Sequence, residues 1–246
     1  MSSQDKIAVV TGGTGGIGTS ICKRLKDEGA TVVALTYGLS DADIEAWQAE
    51  NGSDIEVINV DVANAEETAG VMGGLLEKHG RVDILVNCAG ITRDTTFKKM
   101  TADQWNAVID TNLTSVYNAT QPVWNSMLEN GFGRVINIAS VNGQRGQFGQ
   151  ANYSAAKAGM HGFSMALAYE GATKGVTANT VSPGYVETAM TAAMRDDVRD
   201  AIVSGIPMRR MGQPEEIASA VAYLAADEST YITGANLPVN GGLFIH

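Results

Sequence analysis

The chain has 246 residues, 44% of them apolar, which is enough for one sizeable core, and no apolar run approaches the ~18 residues of a membrane span. A formal net charge of −10, with 27 acidic residues against 17 basic, argues against nucleic acid and anionic membranes as partners, because both reward clustered Lys and Arg. Two cysteines, Cys22 and Cys88, have neither metal spacing nor the density of a disulfide scaffold, and the first strand follows too soon for a signal peptide, so the cytoplasm is expected.

Along the chain, short β-branched runs alternate with stretches of helical period, the pattern of an α/β, Rossmann-type, doubly wound parallel sheet covered by helices on both faces. A single domain over 1–246 is predicted, with about seven strands near 6–11, 31–36, 55–60, 83–87, 133–139, 177–182 and 236–239. Several are almost wholly apolar, such as Val82-Asp83-Ile84-Leu85-Val86, as strands buried on both faces must be. Helices are predicted near 16–28, 64–79, 101–128, 150–173 and 214–226, with a less regular helical insert near 188–205. The acidic run Asp41, Asp43 and Glu45 reads as a solvated helix start. The segment 184–212 holds Met190, Met194, Met208 and Met211, and adaptable methionine packing suggests a small lid over a ligand.

The first strand, Lys6-Ile7-Ala8-Val9-Val10-Thr11, runs into TGGTGGIG and then into a helix. Such a unit lets backbone N–H groups at a helix N-terminus approach a pyrophosphate, with Gly12, Gly16 and Gly18 removing the Cβ atoms that would block it. Downstream, Tyr153 and Lys157 stand four residues apart and so on one helical face. An ammonium about 4 Å from the phenol would favour the phenolate by up to ~4 kcal/mol at an effective dielectric of 20. That makes Tyr153 a candidate general acid. Reducing a carbonyl needs a donor to orient the oxygen and an acid to protonate it; Ser140, ending a buried strand, suits the first task and Tyr153 the second. The plainer readings are that Ser140 caps the following loop and that Asn112 satisfies a local backbone group. His79, His161 and His246 lie far apart with no carboxylate or Cys spacing around them, so packing is favoured over a metal site.

The glycine spacing, GxxxGxG, resembles that of the short-chain dehydrogenase/reductase family, and the resemblance extends from that turn to the terminal Asn240-Gly241-Gly242. It implies that Asn112, Ser140, Tyr153 and Lys157 form a catalytic tetrad, with Asn112 shaping a water relay to the lysine. It also implies a nicotinamide nucleotide held by Gly12, Thr14, Gly16, Ile17 and Gly18 and by Thr36 and Tyr37 after the second strand. Asp61 and Val62 match the pair that contacts adenine, and Asn87, Ala89 and Gly90 lie in the family's NNAG turn, here with Cys88 as its second residue. Pro183, Gly184, Val186 and Thr188 fall at the nicotinamide end, where Tyr153 and Lys157 also touch the ribose.

Within the family the chain is most similar to the acetoacetyl-CoA reductases of polyhydroxyalkanoate synthesis, on Gly90-Ile91-Thr92-Arg93-Asp94, Val141-Asn142-Gly143-Gln144, Gly146-Gln147-Phe148-Gly149-Gln150, His161-Gly162-Phe163 and Ser182-Pro183-Gly184-Tyr185. That similarity implies an acyl-CoA substrate and a homotetramer; Gln147, Phe148, Gln150 and Tyr185 flank the catalytic Ser and Tyr closely enough to form the acyl pocket with Asp94 and Ser140, and Arg195 with its neighbours is the local basic cluster a CoA nucleotide needs. A 3-oxoacyl-(acyl-carrier-protein) reductase is the nearest alternative, but its basic grip on an acidic carrier aligns here with Glu129-Asn130 and Tyr169. A non-catalytic nucleotide-binding scaffold and a sugar or steroid dehydrogenase are the remaining alternatives. After the second strand, Thr36-Tyr37-Gly38-Leu39-Ser40-Asp41 offers no basic residue for a 2′-phosphate, so NADH is expected, with NADPH use left open because no carboxylate sits at the strand end.

Overall fold

In a computed structural model that describes residues 3–192 and 194–245, seven parallel strands form one sheet. They are β1 (Ile7–Thr11), β2 (Thr31–Thr36), β3 (Glu56–Asn59), β4 (Ile84–Asn87), β5 (Gly133–Ile138), β6 (Val176–Pro183) and β7 (Asn236–Val239), in the order β3-β2-β1-β4-β5-β6-β7. The helices are α1 (Gly16–Asp27), α2 (Asp41–Asn51), α3 (Ala65–His79), α4 (Ala102–Ile109), α5 (Ser115–Asn130), α6 (Val141–Arg145), α7 (Ala151–Gly171), α8 (Ala189–Ala192), α9 (Asp196–Gly205) and α10 (Pro214–Ala225).

Residues of the central strands alternate between two covered faces, so their apolar side chains feed two cores, while the polar ones that are buried with them, such as Asn137 and Asn179, are hydrogen-bonded. Ala8, Val10, Val32, Ala34, Ile84 and Val86 pack against Ile21 and Leu25 of α1 and Ile217 and Val221 of α10. Their neighbours Val9, Val33, Leu85 and Val135 pack against Met72 and Leu75 of α3 and Val123 and Met127 of α5. The doubly wound architecture is the one expected. Winding reverses between β1 and β4, which are adjacent in the sheet but not in sequence, and a crevice opens beyond their C-terminal ends.

Three helical features differ from the expectation. The stretch 101–128 is not one helix: α4 and α5 are joined by a π-helical turn, Asp110–Thr114, centred on Asn112. The Asn112 side chain donates to Val108 O at 2.8 Å, entering the helix ladder and widening it. The acidic start at Asp41 belongs to a full helix, α2, closed at its N-terminus by a capping box between Ser40 and Asp43. None of its residues is buried and only Ile44 and Trp47 are half-buried large apolar residues, so its stripe is too short to mark the helix beyond the acidic start. The short α6 directly follows Ser140.

The insert after β6 is closed at its base by a parallel bridge between Val186 and Gly212, with α8 and α9 between them. Its methionines do not act together. Met194 reaches the cavity wall, Met211 is buried and Met208 is exposed. The Met190 side chain and His246 lie outside the described residues.

Candidate active site

The crevice is a cavity of about 1020 Å³, lined by the turns after β1, β2, β4, β5 and β6. On one side its wall is main chain. Gly12 has φ of +63°, and a Cβ there would come within 2.9 Å of Ala89 Cα, so the turns after β1 and β4 can touch only because Gly12 has no side chain. A Cβ on Gly18 would overlap the Gly12 carbonyl oxygen. Thr11, which the sequence reading passed over, pins the two turns: its Oγ1 accepts from Cys88 N at 3.0 Å and Ala89 N at 3.1 Å.

Of the expected nucleotide residues, Gly12, Gly16, Ile17, Gly18, Thr36, Tyr37, Asp61, Val62, Ala89, Gly90, Pro183, Gly184, Val186 and Thr188 line this cavity. Thr14 and Asn87 do not. The Thr14 hydroxyl is 2.6 Å from the Thr36 hydroxyl, buttressing the wall from behind. Asn87 is buried and donates to Asn137 Oδ1 at 2.8 Å, cross-linking β4 and β5. Asn118, another residue the sequence did not single out, donates to Val62 O at 3.0 Å and fixes the segment after β3.

Asn112, Ser140, Tyr153 and Lys157 converge at the other end. Lys157 is buried, and its ammonium donates to Ile138 O at 2.7 Å. Burial lowers its pKa to about 8, with Cys88 acting in the opposite sense. Tyr153 lies with its ring centroid 5.7 Å from that nitrogen. Contrary to the expected lowering, the Tyr153 phenol is held above its ordinary value by burial, against a hydrogen bond to Ser140 and with Asp94 and Cys88 adding to the rise. Burial outweighs the other influences because a phenolate would lose its hydration there, and Lys157 sits over the ring with one of its three N–H donors bound to Ile138 O. Ser140 does cap α6, its Oγ accepting from Asn142 N at 3.1 Å, while also facing the cavity. Asn112 donates to Ile91 O at 2.9 Å, and its Oδ1 is buried and unpaired among the described residues. That oxygen sits 2.5 Å from where a Cβ on Gly90 would stand, and Lys157 Nζ is 3.5 Å from the same point.

The acyl side is made of side chains, and here the expectations divide. Asp94, Gln150 and Tyr185 line the cavity, whereas Gln147, Phe148 and Arg195 do not. Phe148 is 85% exposed, on the loop outside the wall. Arg195 stands exposed and forms a two-pronged ion pair with Asp197, at 3.1 and 2.8 Å, so its charge is already answered. Asp94 accepts from Gln150 Nε2 at 2.7 Å, and Gln150 Oε1 accepts from Asn142 Nδ2 at 3.0 Å. Asn142 and Asn152 are the functional residues missed here. Asn152 is fully buried, donates to Arg93 O and Gln104 O, and accepts from Tyr153 N at 2.8 Å, which fixes the start of α7. Its place beside Tyr153 was the available signal. His161 bonds Thr180 Oγ1 at 3.0 Å, in keeping with a packed histidine.

A family profile described as enoyl-(acyl carrier protein) reductase matches residues 12–244. The chain belongs to the short-chain dehydrogenase/reductase family. It is 66% identical to an acetoacetyl-CoA reductase of Allochromatium vinosum over 98% of this chain and 99% of that one. It is 54% identical to an acetoacetyl-CoA reductase of Cupriavidus necator, over 97% and 98%. A 3-oxoacyl-(acyl-carrier-protein) reductase of Vibrio harveyi is 46% identical over the full length of both chains. Among solved structures, that of gox2181 superposes with a TM-score of 0.92 at 35% identity, covering 98% of this chain and 96% of its own.

Proposed function

We propose that this chain reduces acetoacetyl-CoA to (R)-3-hydroxybutanoyl-CoA with a nicotinamide nucleotide, for polyhydroxyalkanoate synthesis. The observation that carries the reading is the meeting of Ser140, Tyr153 and Lys157 at one end of a glycine-floored cavity, in a chain of this ancestry. The residues present fit a dinucleotide: the floor has no Cβ where phosphates must approach, and Asp61 and Val62 form a wall for adenine. Tyr153 and Lys157 would hold the nicotinamide ribose, and Pro183, Gly184, Val186 and Thr188 the ring's surroundings.

A bound reduced nicotinamide supplies the hydride that reaches the ketone carbon. The chain's own residues manage the oxygen. Ser140 Oγ accepts from Asn142 N–H, so its single proton, shared with the Tyr153 phenol, is directed into the cavity where the ketone oxygen would lie. Tyr153, kept protonated by burial, gives its proton to that oxygen as charge develops. Lys157, with a pKa of about 8, is mostly charged at neutral pH and stabilises the phenolate left behind. The free Asn112 Oδ1 beside Lys157 suits a water that returns the proton.

CoA rather than a carrier protein is favoured because Glu129, Asn130 and Tyr169 are exposed at the carrier-grip positions, and none is basic. NADH is favoured over NADPH because the turn after β2 offers no basic side chain and two of its three neutral donors are already committed, leaving Tyr37. Thr36 bonds Thr14, Ser40 caps α2, and Asp41 and Asp43 in the first turn would repel a 2′-phosphate. Two free thiols accord with the cytoplasm, and α4, α5, α7 and β7 are the surfaces proposed to build a homotetramer. The test is kcat/KM for acetoacetyl-CoA with each nucleotide at equal ionic strength. NADH is expected to win by about 10-fold or more, as a missing charge-assisted bond is worth ~1.5–3 kcal/mol. A tenfold preference for NADPH would refute the reading of this loop.

A further inference from the structure

The polar chain on the acyl wall has a fixed direction. An ionised carboxylate can only accept, so Asp94 obliges Gln150 to present its Nε2, at 2.7 Å. Gln150 must then present Oε1 to Asn142, which is obliged to answer with Nδ2, at 3.0 Å. The Asn142 carbonyl oxygen is therefore the end of the chain, and neither amide can turn over without setting two donors or two acceptors against each other. That oxygen, Oδ1, is buried and has no hydrogen-bond partner among the described residues. Asn142 itself is only 8% exposed, lines the cavity, and lies two residues from Ser140, whose Oγ it holds through its backbone N–H. A buried acceptor left unpaired at the wall of a ligand cavity points to a donor on the ligand.

A β-ketoacyl thioester brings few donors. From the ketone oxygen through the thioester carbonyl to the sulfur, every heteroatom is an acceptor. The first N–H along the molecule is the amide two carbons beyond the sulfur, at the start of the pantetheine arm. We propose that Asn142 is a specificity-determining residue, its Oδ1 accepting a hydrogen bond from this amide N–H and so setting the thioester arm in register with Ser140 and Tyr153. Asp94 and Gln150 are positioning residues that fix which end of the Asn142 amide is left unpaired beside the cavity. The inference rests on the thioester reading of the function, but not on the carrier, since CoA and a carrier protein present the same arm.

The test uses two small thioesters: acetoacetyl-N-acetylcysteamine, and its isostere in which the amide N–H is replaced by an ester oxygen. The wild-type enzyme is expected to use the amide about tenfold better in kcat/KM, chiefly through KM. In Asn142→Ala the two should fall within about twofold of each other. Asp94 is exposed, so Asp94→Asn should fold normally; its amide lets both neighbours turn over, and the discrimination should shrink there as well. Discrimination that survives in Asn142→Ala, or is absent from the wild type, would overturn the proposal. So would an Asn142→Ala variant with altered nucleotide affinity and unaltered thioester discrimination, because the acceptor would then serve the nicotinamide carboxamide. Wild-type protein that reduces neither thioester nor acetoacetyl-CoA would remove the functional reading, and this inference with it. Brisk turnover with equal use of both thioesters would remove the inference alone.

Discussion

On the nucleotide side of the cavity the wall is backbone, drawn tight by glycines at strand ends; on the acyl side it is a sequence of side chains borne by connecting segments. Gly12 touches Ala89 because nothing stands between them, and Thr11 locks both turns with one hydroxyl. Across the cavity, Asp94, Gln150 and Asn142 depend on one another through two side-chain hydrogen bonds. The first side tolerates only one shape, so damage to it costs binding outright. The second is tuned by side-chain identity, so changes there should alter which substrate is used more than whether any is used.

The comparison is broken most sharply at the meeting point of the two sides. Tyr153→Phe removes the proton donor and one of two ribose contacts, so kcat should fall by ~10²–10⁴ while nucleotide Kd rises by no more than about tenfold, as steady-state rates and a nucleotide titration would reveal. Next in size is Gly18→Ala, whose methyl would overlap the Gly12 carbonyl. An overpacked turn costs ~1–3 kcal/mol, so nucleotide Kd should rise roughly 5- to 150-fold with a lower Tm, and a variant binding normally would show the turn to be pliant. A pH profile should give a smaller, graded effect. Lys157 is charged below about 8 and neutral above it, so kcat/KM for reduction should be level from neutral pH to that point and decline beyond it. A Lys157→Met variant should lack that decline. The smallest effect belongs to Arg195→Ala: an exposed ion pair is worth ~0–1 kcal/mol, so KM for acetoacetyl-CoA should change less than about fivefold.

What could be read from the sequence follows the same division. Strand limits were legible because the buried strands carry short apolar and β-branched runs, even where buried polar residues such as Asn137 and Asn179 interrupt them, and the Gly-rich turn because its glycines have no substitutes. Tyr153 and Lys157 were legible because helical spacing alone puts them on one face. The π-turn at Asn112 was not, since it arises from that side chain reaching a carbonyl of its own helix, which no periodicity records. Nor was the extent of α2 beyond its acidic start, because Ile44 and Trp47 alone mark its sheltered side. Phe148 and Arg195 were placed near the substrate by proximity in sequence to Tyr153 and the lid, but loop residues two positions apart can face the cavity or the solvent. Gln150 faces in and Phe148 faces out. The rise in the Tyr153 pKa was hidden for a similar reason: helical spacing places the lysine near the phenol but does not tell how deeply the phenol is buried.

The most direct test of the central claim is a side-by-side measurement of kcat/KM for acetoacetyl-CoA and for the same acyl group on an acyl carrier protein, with NADH and purified wild-type chain. The account predicts rapid formation of the (R)-3-hydroxybutanoyl thioester from the CoA ester, with the carrier-bound substrate at least about tenfold poorer. A carrier-bound substrate used equally well or better, or no reduction of acetoacetyl-CoA, would contradict it.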